Sequence, residues 1–168
     1  MGRLLGSMRE AGAGEQITAL APRAATHAAL DKPHRVATLL LELRNVGAGE
    51  QVTALTARAA SDFALDDLEA VAALLRYLWK VGAGEHVTAL AARAATEITL
   101  HNQDAVDRLL ESMREVGAGE QATALASRLP AVGRFDQSVQ FSGNLEQFRL
   151  GREPDGSAAP SWTWTDLD

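Results

Sequence analysis

The 168-residue sequence has no cysteine and few aromatic residues. Without cysteine, disulfide bonds, thiolate zinc sites and thiol catalysis are excluded. Aromatic residues make up 5% of the chain although apolar residues make up 46%, and much of the apolar content is alanine. A core of alanine and leucine favours closely spaced helices over a β-sandwich.

Long hydrophobic runs and an excess of positive charge are also missing. No stretch approaches the roughly 18 apolar residues of a membrane span, and the first residues lack the apolar core of a signal peptide. We therefore expect no membrane contact and a cytoplasmic location. The formal net charge is −6 and the pI about 5.2, which makes nucleic acid an unlikely main partner because phosphate binding needs a concentrated positive surface.

What the sequence does have is a repeat. The segment Gly-Ala-Gly-Glu begins at Gly12, Gly47, Gly82 and Gly117, at a constant spacing of 35 residues. Constant spacing without insertion is typical of a stacked array of supersecondary units. We divide the array into a partial repeat 1–11, the repeats 12–46, 47–81 and 82–116, and a half repeat 117–130.

Each copy contains two segments with apolar residues at the helical spacing i, i+3, i+4, i+7. In the second copy, helix A is expected from about residue 50 to 60, with the stripe Val52, Leu55, Thr56 and Ala59. Helix B is expected from about residue 67 to 81, with the stripe Val71, Leu74, Leu75 and Leu78. The sequence thus predicts an all-α fold, an α-solenoid of antiparallel helix pairs.

The ends of these helices carry their own signals. Asp66 and Glu69 form a capping-box pattern that predicts an N-cap for helix B at Asp66. Gly82 follows helix B, where a left-handed residue is needed. Glu50 and Arg58 represent two constant columns of the repeat, eight residues apart and therefore too distant to pair within one helix. Pairing between neighbouring repeats and simple solvation at the surface are the two alternatives.

The chain begins out of phase with its repeat. Leu4, Leu5, Met8 and Arg9 match residues 105 positions later, so residues 1–11 correspond to a helix B whose helix A is missing. Terminal repeats normally need a cap. We expect either the C-terminal part of a longer protein or a homo-oligomer formed through the uncapped N-terminal helix.

Residues 131–168 break the repeat and form a C-terminal cap or tail. Pro130 ends the last helix A early, and no final helix B is evident. Residues 148–150 and 162–165 alternate with period 2 around the turn sequence 153–156, which predicts a β-hairpin or extended cap over the last repeat. The alternative is a docking motif that presents Trp162 and Trp164 to a partner.

We identify no catalytic, metal-binding or cofactor-binding residues. Four histidines are present, His27, His34, His86 and His101. No two of them have the helical i, i+4 spacing, with a carboxylate between, of a zinc protease site. The Gly-Ala-Gly-Glu segment lacks the Gly-Lys-Ser/Thr ending of a phosphate-binding loop. We expect a protein that is not an enzyme and needs no cofactor.

Aromatic substitutions within the repeat mark candidate partner-binding residues. Tyr77 and Trp79 occupy columns that are polar in other copies, and at about 100° per residue they flank the leucine stripe on opposite sides. They line a groove or fill the rim between repeats, and Phe63 has the same two interpretations. The full set of candidates is Phe63, Tyr77, Trp79, Trp162 and Trp164.

The second helix of the third copy, residues 104–117, resembles pentatricopeptide repeats and, more broadly, the tetratricopeptide superfamily; the resemblance covers about residues 1–128. The amino-acid sequences of residues 47–55 and 148–156 are more similar to uncharacterised actinobacterial repeat proteins. The pentatricopeptide resemblance implies single-stranded RNA or DNA binding. The residues form a regular repeat and include no catalytic motif. We therefore expect a non-catalytic scaffold for protein–protein interaction or self-association, with a protein or peptide partner. Single-stranded nucleic acid is the alternative.

Overall fold

The computed structural model describes residues 14–142 and residue 159. Within this part of the chain every regular element is helical: there are eight α-helices, one 3-10 helix and no strand. The elements are α1 (Gly14–His27), α2 (Pro33–Asn45), α3 (Gly49–Asp62), α4 (Leu68–Lys80), α5 (Gly84–Glu97), α6 (Gln103–Glu115), α7 (Gly119–Ala126), η1 (Leu129–Val132) and α8 (Phe135–Ser142). The prediction of an all-α protein is confirmed for these residues.

The odd-numbered helices α1, α3, α5 and α7 are the A helices of successive copies, and α2, α4 and α6 are the B helices. Each A helix begins at the second glycine of its Gly-Ala-Gly segment, one residue before the position expected from the sequence. The glutamate that follows, such as Glu50 in α3, lies in the first turn, where a carboxylate interacts favourably with the helix dipole.

The N-caps of the B helices differ from the prediction by one residue. Asp67, not Asp66, has the extended backbone of an N-cap, and its carboxylate accepts a hydrogen bond from the backbone N–H of Ala70. Asn102 does the same for Ala105 in α6. The two adjacent aspartates are equally suited as caps by composition, so the backbone dihedrals decide between them.

The first glycine of each segment ends a B helix, as predicted. Gly47, Gly82 and Gly117 have positive φ angles of 75°, 79° and 81°. In the first of these turns the N–H of Ala48 donates to the carbonyl of Leu43 over 2.9 Å, which is the six-residue hydrogen bond of a Schellman motif. Because the same turn recurs three times, each copy leaves its B helix in the same direction.

The copies pack in sequence order. Each A helix contacts the A helix of the next copy, each B helix contacts the next B helix, and each B helix also contacts the A helix of the copy that follows. The leucines of both stripes form one continuous core and are fully buried, including Leu40, Leu43, Leu55, Leu74, Leu75, Leu78, Leu90, Leu109, Leu110 and Leu125. Full burial of one such side chain contributes about 1.5–3 kcal/mol.

The constant arginine column joins neighbouring A helices, but its acceptors are not the glutamates. Arg93 of α5 donates from Nη1 to the carbonyl of Ala60, over 2.8 Å, near the end of α3. Arg128 donates to the carbonyls of Ala95 (2.7 Å) and Ile98 (3.0 Å) at the end of α5. No Glu–Arg pair joins these two columns in the described part of the chain, so the pairing alternative is wrong.

We name this contact the arginine clamp. Its third example is Arg58, which donates to the carbonyls of Ala25 and Ala28 at the end of α1. In every case the acceptors lie 33 and 30 residues before the arginine. The clamp satisfies carbonyl groups that have no partner inside the helix, at its partially negative end.

The last copy ends in a helix that sequence analysis missed. After α7, Pro130 lies in the 3-10 helix η1, Gly133 has a φ of 79°, and α8 follows from Phe135. Sequence analysis gave no evidence of this final helix. The pair Val132-Gly133 repeats the Val-Gly that follows each B helix, but here it ends η1 and precedes α8. The two predicted strands of the C-terminal cap and the partial repeat 1–11 lie outside the described residues.

Candidate functional site

Tyr77 and Trp79 lie on opposite sides of α4, because two residues turn a helix by about 200°. The residues of α6 in the same columns show which neighbouring helix each side of α4 faces. Ser112, the counterpart of Tyr77, accepts a hydrogen bond from Arg76 of the preceding B helix. Arg114, the counterpart of Trp79, contacts α8, the helix that follows. Tyr77 therefore faces α2 and Trp79 faces α6, so the structure does not bring the two aromatic residues together.

The space between α4 and α6 forms a groove of about 430 Å³, which we call the α4/α6 groove. Its lining consists of small and charged side chains: Glu69, Ala72, Ala73, Arg76, Arg108, Glu111, Ser112 and Glu115. An ion pair between Arg108 and Glu69 spans the groove near the start of the two helices. The Arg76–Ser112 hydrogen bond, 3.1 Å long, spans its middle.

Trp79 lies on α4 beyond the residues that line this groove. It follows Arg76 by one helical turn, and 54% of its surface is exposed. Glu115, which lines the groove on α6, is close to Trp79 in sequence register. The neighbouring copies hold arginine in the column of Trp79, and in α6 that arginine, Arg114, stacks on Phe141 with its guanidinium carbon 4.7 Å from the ring centroid. Trp79 is thus a large apolar group at a position that elsewhere is cationic.

The other aromatic candidate, Tyr77, lies on the side of α4 that faces α2. It is partly buried, and Nζ of Lys80 lies 6.0 Å from the centre of its ring. On α2, Leu41 occupies the column of Arg76 and is 49% exposed.

The other candidate residues fall elsewhere. Phe63 follows α3 directly and is only 2% exposed, within the core formed by the stacked helices. A side chain in this position fills the space between copies, so we remove Phe63 from the candidate partner-binding residues. Trp162 and Trp164 lie outside the described residues.

Sequence analysis missed a polar cluster that fastens α8 to α6. Arg134, just before α8, forms an ion pair with Asp107 over 3.2 Å, and Gln137 donates to the same carboxylate over 2.8 Å. Burial raises the pKa of Asp107; the attraction of Arg134 opposes this effect, and the charges of Asp104 and Glu111 add to it. Desolvation is the largest of these effects, and the ion pair and hydrogen bond to Asp107 hold the start of α8 against α6.

The described part of the chain contains no group of three His, Asp or Glu side chains arranged to hold a metal ion. None of the helices in that part has both the length and the apolar character needed to cross a lipid bilayer.

Comparison with known proteins leaves the family open. No protein-family model matches this sequence, and no curated protein and no solved structure matches it either. The resemblance to pentatricopeptide and tetratricopeptide repeats, and to actinobacterial repeat proteins, therefore stays a prediction.

Proposed function

We propose that this chain is an α-solenoid that serves as a non-catalytic scaffold in the cytoplasm and binds a protein or peptide partner. The in-order contacts of A helices with A helices and of B helices with B helices support the solenoid arrangement. The arginine clamps support it as well, since each one joins a copy to the copy before it.

The observation that carries the proposed binding function is the exposure of Trp79. A tryptophan that is half exposed gains little from packing within its own chain, and tryptophan is enriched among the residues that dominate protein–protein binding. Glu111 and Glu115 add two carboxylates to the α4/α6 groove, whose lining on α4 extends to Arg76, three residues before Trp79. A partner that presents a basic side chain would contact the Trp79 ring and these carboxylates together.

The substitution Trp79→Arg tests this proposal without disturbing the fold, because Arg44 and Arg114 occupy the same column in α2 and α6. Immobilised full-length chain is used to recover cross-linked proteins from cells, and the affinity of each recovered protein is then measured by calorimetry. We expect W79R to weaken binding by roughly 30-fold, the effect of losing about 2 kcal/mol at a dominant contact.

The matched control is Ala89→Arg, which adds the same charge at an exposed position of the A helix α5. A89R should bind the partner as the unmodified chain does. Equal affinities for W79R and the unmodified chain would contradict the assignment of Trp79, and recovery of no protein at all would contradict the scaffold function.

Binding of single-stranded RNA or DNA is the second candidate, and the position of Lys80 over the Tyr77 ring is the observation that favours it. Tyr77 is only partly buried and has the basic Lys80 beside it on the same helix, and stacking aromatics beside basic residues are typical of single-strand binding. The test is a fluorescence anisotropy titration with labelled oligonucleotides at low and moderate salt. Binding that weakens with salt and with Tyr77→Ala would support this function, and no binding at low salt would exclude it.

A further inference from the structure

The arginine column has a fourth member, Arg23 of α1, whose surroundings differ from those of the other three. Its side chain is exposed, and it makes no hydrogen bond or ion pair to any residue between 14 and 142. Arg58, Arg93 and Arg128, in the same column, are all partly buried by the helix end that they clamp. In those three clamps the acceptors lie 33 and 30 residues before the arginine, at the end of the preceding A helix.

Two further residues of α1 lie on the same edge and show the same difference. Leu20 is partly exposed, whereas its counterparts Leu55, Leu90 and Leu125 are fully buried. Gln16 is exposed, whereas the residues in its column in the later copies are partly buried. Gln16, Leu20 and Arg23 together form what we call the α1 edge. In every later copy the equivalent edge is covered by the preceding A helix.

We propose that the α1 edge is a stacking site for one further helical hairpin of the same repeat type. The chain shows three times what such an edge binds: an A helix whose last turn offers two backbone carbonyls to the arginine guanidinium. The same A helix covers the leucine of the edge. The chemistry of the occupant is therefore defined. Its A helix ends with two free backbone carbonyls, three residues apart, and has an apolar side that packs on Leu20.

A second copy of the whole chain does not supply this occupant through the residues described. The carbonyl pairs at the ends of α1, α3 and α5 already accept from Arg58, Arg93 and Arg128. At the end of α7 the carbonyl of Pro130 accepts from the N–H of Gly133, and α8 packs against α7. The occupant is consequently an additional repeat unit and not a duplicate of the molecule.

The repeat phase defines the experiment. Leu4, Leu5 and Met8 match residues 105 positions later, so residue 1 corresponds to Val106 and residues 82–105 supply the missing first part of that copy. Joining a duplicate of residues 82–105 directly ahead of residue 1 of the full chain places the counterparts of Ala95 and Ile98 at the clamp spacing from Arg23. The measurement is the urea midpoint of the original and the extended chain, each with and without Arg23→Ala.

We expect the extended chain to have a higher urea midpoint than the original chain. Arg23→Ala should lower the midpoint of the extended chain as much as Arg93→Ala lowers that of the original chain, and should leave the original chain unchanged. Arg35→Ala, at an exposed position of α2, is the matched control and should leave both chains unchanged. A duplicate of residues 47–70, which offers the counterparts of Ala60 and Phe63, is the second variant, in case the first extended chain does not fold.

Equal effects of Arg23→Ala in the original and extended chains would overturn the proposal, as would failure of both extended chains to fold cooperatively. Light scattering on the original chain tests the competing occupant. A dimer that Arg23→Ala dissociates would show that a second copy of the chain occupies the edge, and would overturn the proposal too. The proposal depends on the stacked arrangement and not on Trp79, so W79R distinguishes its failure from a failure of the proposed binding function.

Discussion

Three arginines join neighbouring copies through backbone acceptors. A guanidinium group suits this role because its donors form a planar fork that reaches two carbonyl oxygens at once. The carbonyls are also at the C-terminal ends of helices, where the helix dipole favours a positive charge. The three clamps share one geometry, with acceptors 33 and 30 residues before the arginine.

Replacing Arg93 with alanine should lower the free energy of unfolding by about 1–3 kcal/mol, because the carbonyls near the end of α3 lose a charged donor while still partly buried. The measurement is urea denaturation followed by circular dichroism. Arg108→Ala is the control, since its ion pair with Glu69 joins two largely exposed side chains and such pairs contribute less than about 1 kcal/mol. Equal losses in the two variants would show that the clamp has no special role.

The two glycines of each Gly-Ala-Gly segment have different roles, and alanine substitution should separate them. Gly82 has a φ of 79°, and Gly84 begins α5 without a positive φ; a Cβ would meet no atom within 4 Å at either position. Gly82→Ala should therefore cost about 1–2 kcal/mol through backbone strain alone. Gly84→Ala should leave stability unchanged or raise it by up to about 1 kcal/mol. Thermal unfolding of both variants checks this, and a similar loss in both would contradict the assignment.

Among the helices, α8 is the one whose attachment is local. It contacts α7 and η1, and Arg114 fastens it to α6 by donating to the carbonyl of Phe141 and stacking on its ring. Arg134 and Gln137 hold its first turn on Asp107. These few polar contacts take the place of the leucine stripe that anchors α2, α4 and α6.

Arg114→Ala should loosen α8 without unfolding the other helices. The loss of one charged hydrogen bond, about 1.5 kcal/mol or more, predicts at least about tenfold faster amide exchange in α8. Hydrogen–deuterium exchange measured by mass spectrometry would report it. Arg44→Ala, in the same column of α2, is the control, since the Arg44 side chain makes no hydrogen bond or ion pair with the described residues. Unchanged exchange in α8 would mean that the α8 contacts with α7 suffice.

Most helices follow directly from the sequence, and the exceptions have physical reasons. The A and B helices are predictable because the apolar spacing and the glycines repeat together. The clamp is not, because its acceptors are backbone carbonyls that leave no trace in the residue types. The helix α8 was hidden because Pro130 interrupts the repeat and the remaining residues no longer align with it. The environment of Trp79 depends on the side chains of the next helix, which spacing along one helix does not reveal.

At the scale of the whole molecule, the main contacts among the described helices join neighbouring copies. The most distant copies therefore influence each other only through those between them, and stability is expected to be highest in the middle. In this respect the molecule differs from a globular domain, whose core residues contact partners from all parts of the chain.

Leu75→Ala and Leu125→Ala should show this difference. Both leucines are fully buried, so each substitution should cost about 2–5 kcal/mol. Under native conditions, Leu75→Ala should accelerate amide exchange in helices from α2 to α6, and Leu125→Ala only in helices from α5 onward. Acceleration spread evenly over the described helices in both variants would indicate a single cooperative unit instead.

The arginine clamp also has a consequence for how such a protein changes over generations. At the second acceptor position the copies have alanine, phenylalanine and isoleucine at residues 28, 63 and 98, yet the arginine binds the same carbonyl in each. Because the arginine clamp binds backbone carbonyls, a side-chain substitution in the helix that supplies them requires no matching change in the arginine. Whole units are therefore interchangeable: duplication, deletion or reordering of a 35-residue segment preserves every joint, while the outward-facing residues of each unit remain free to diverge.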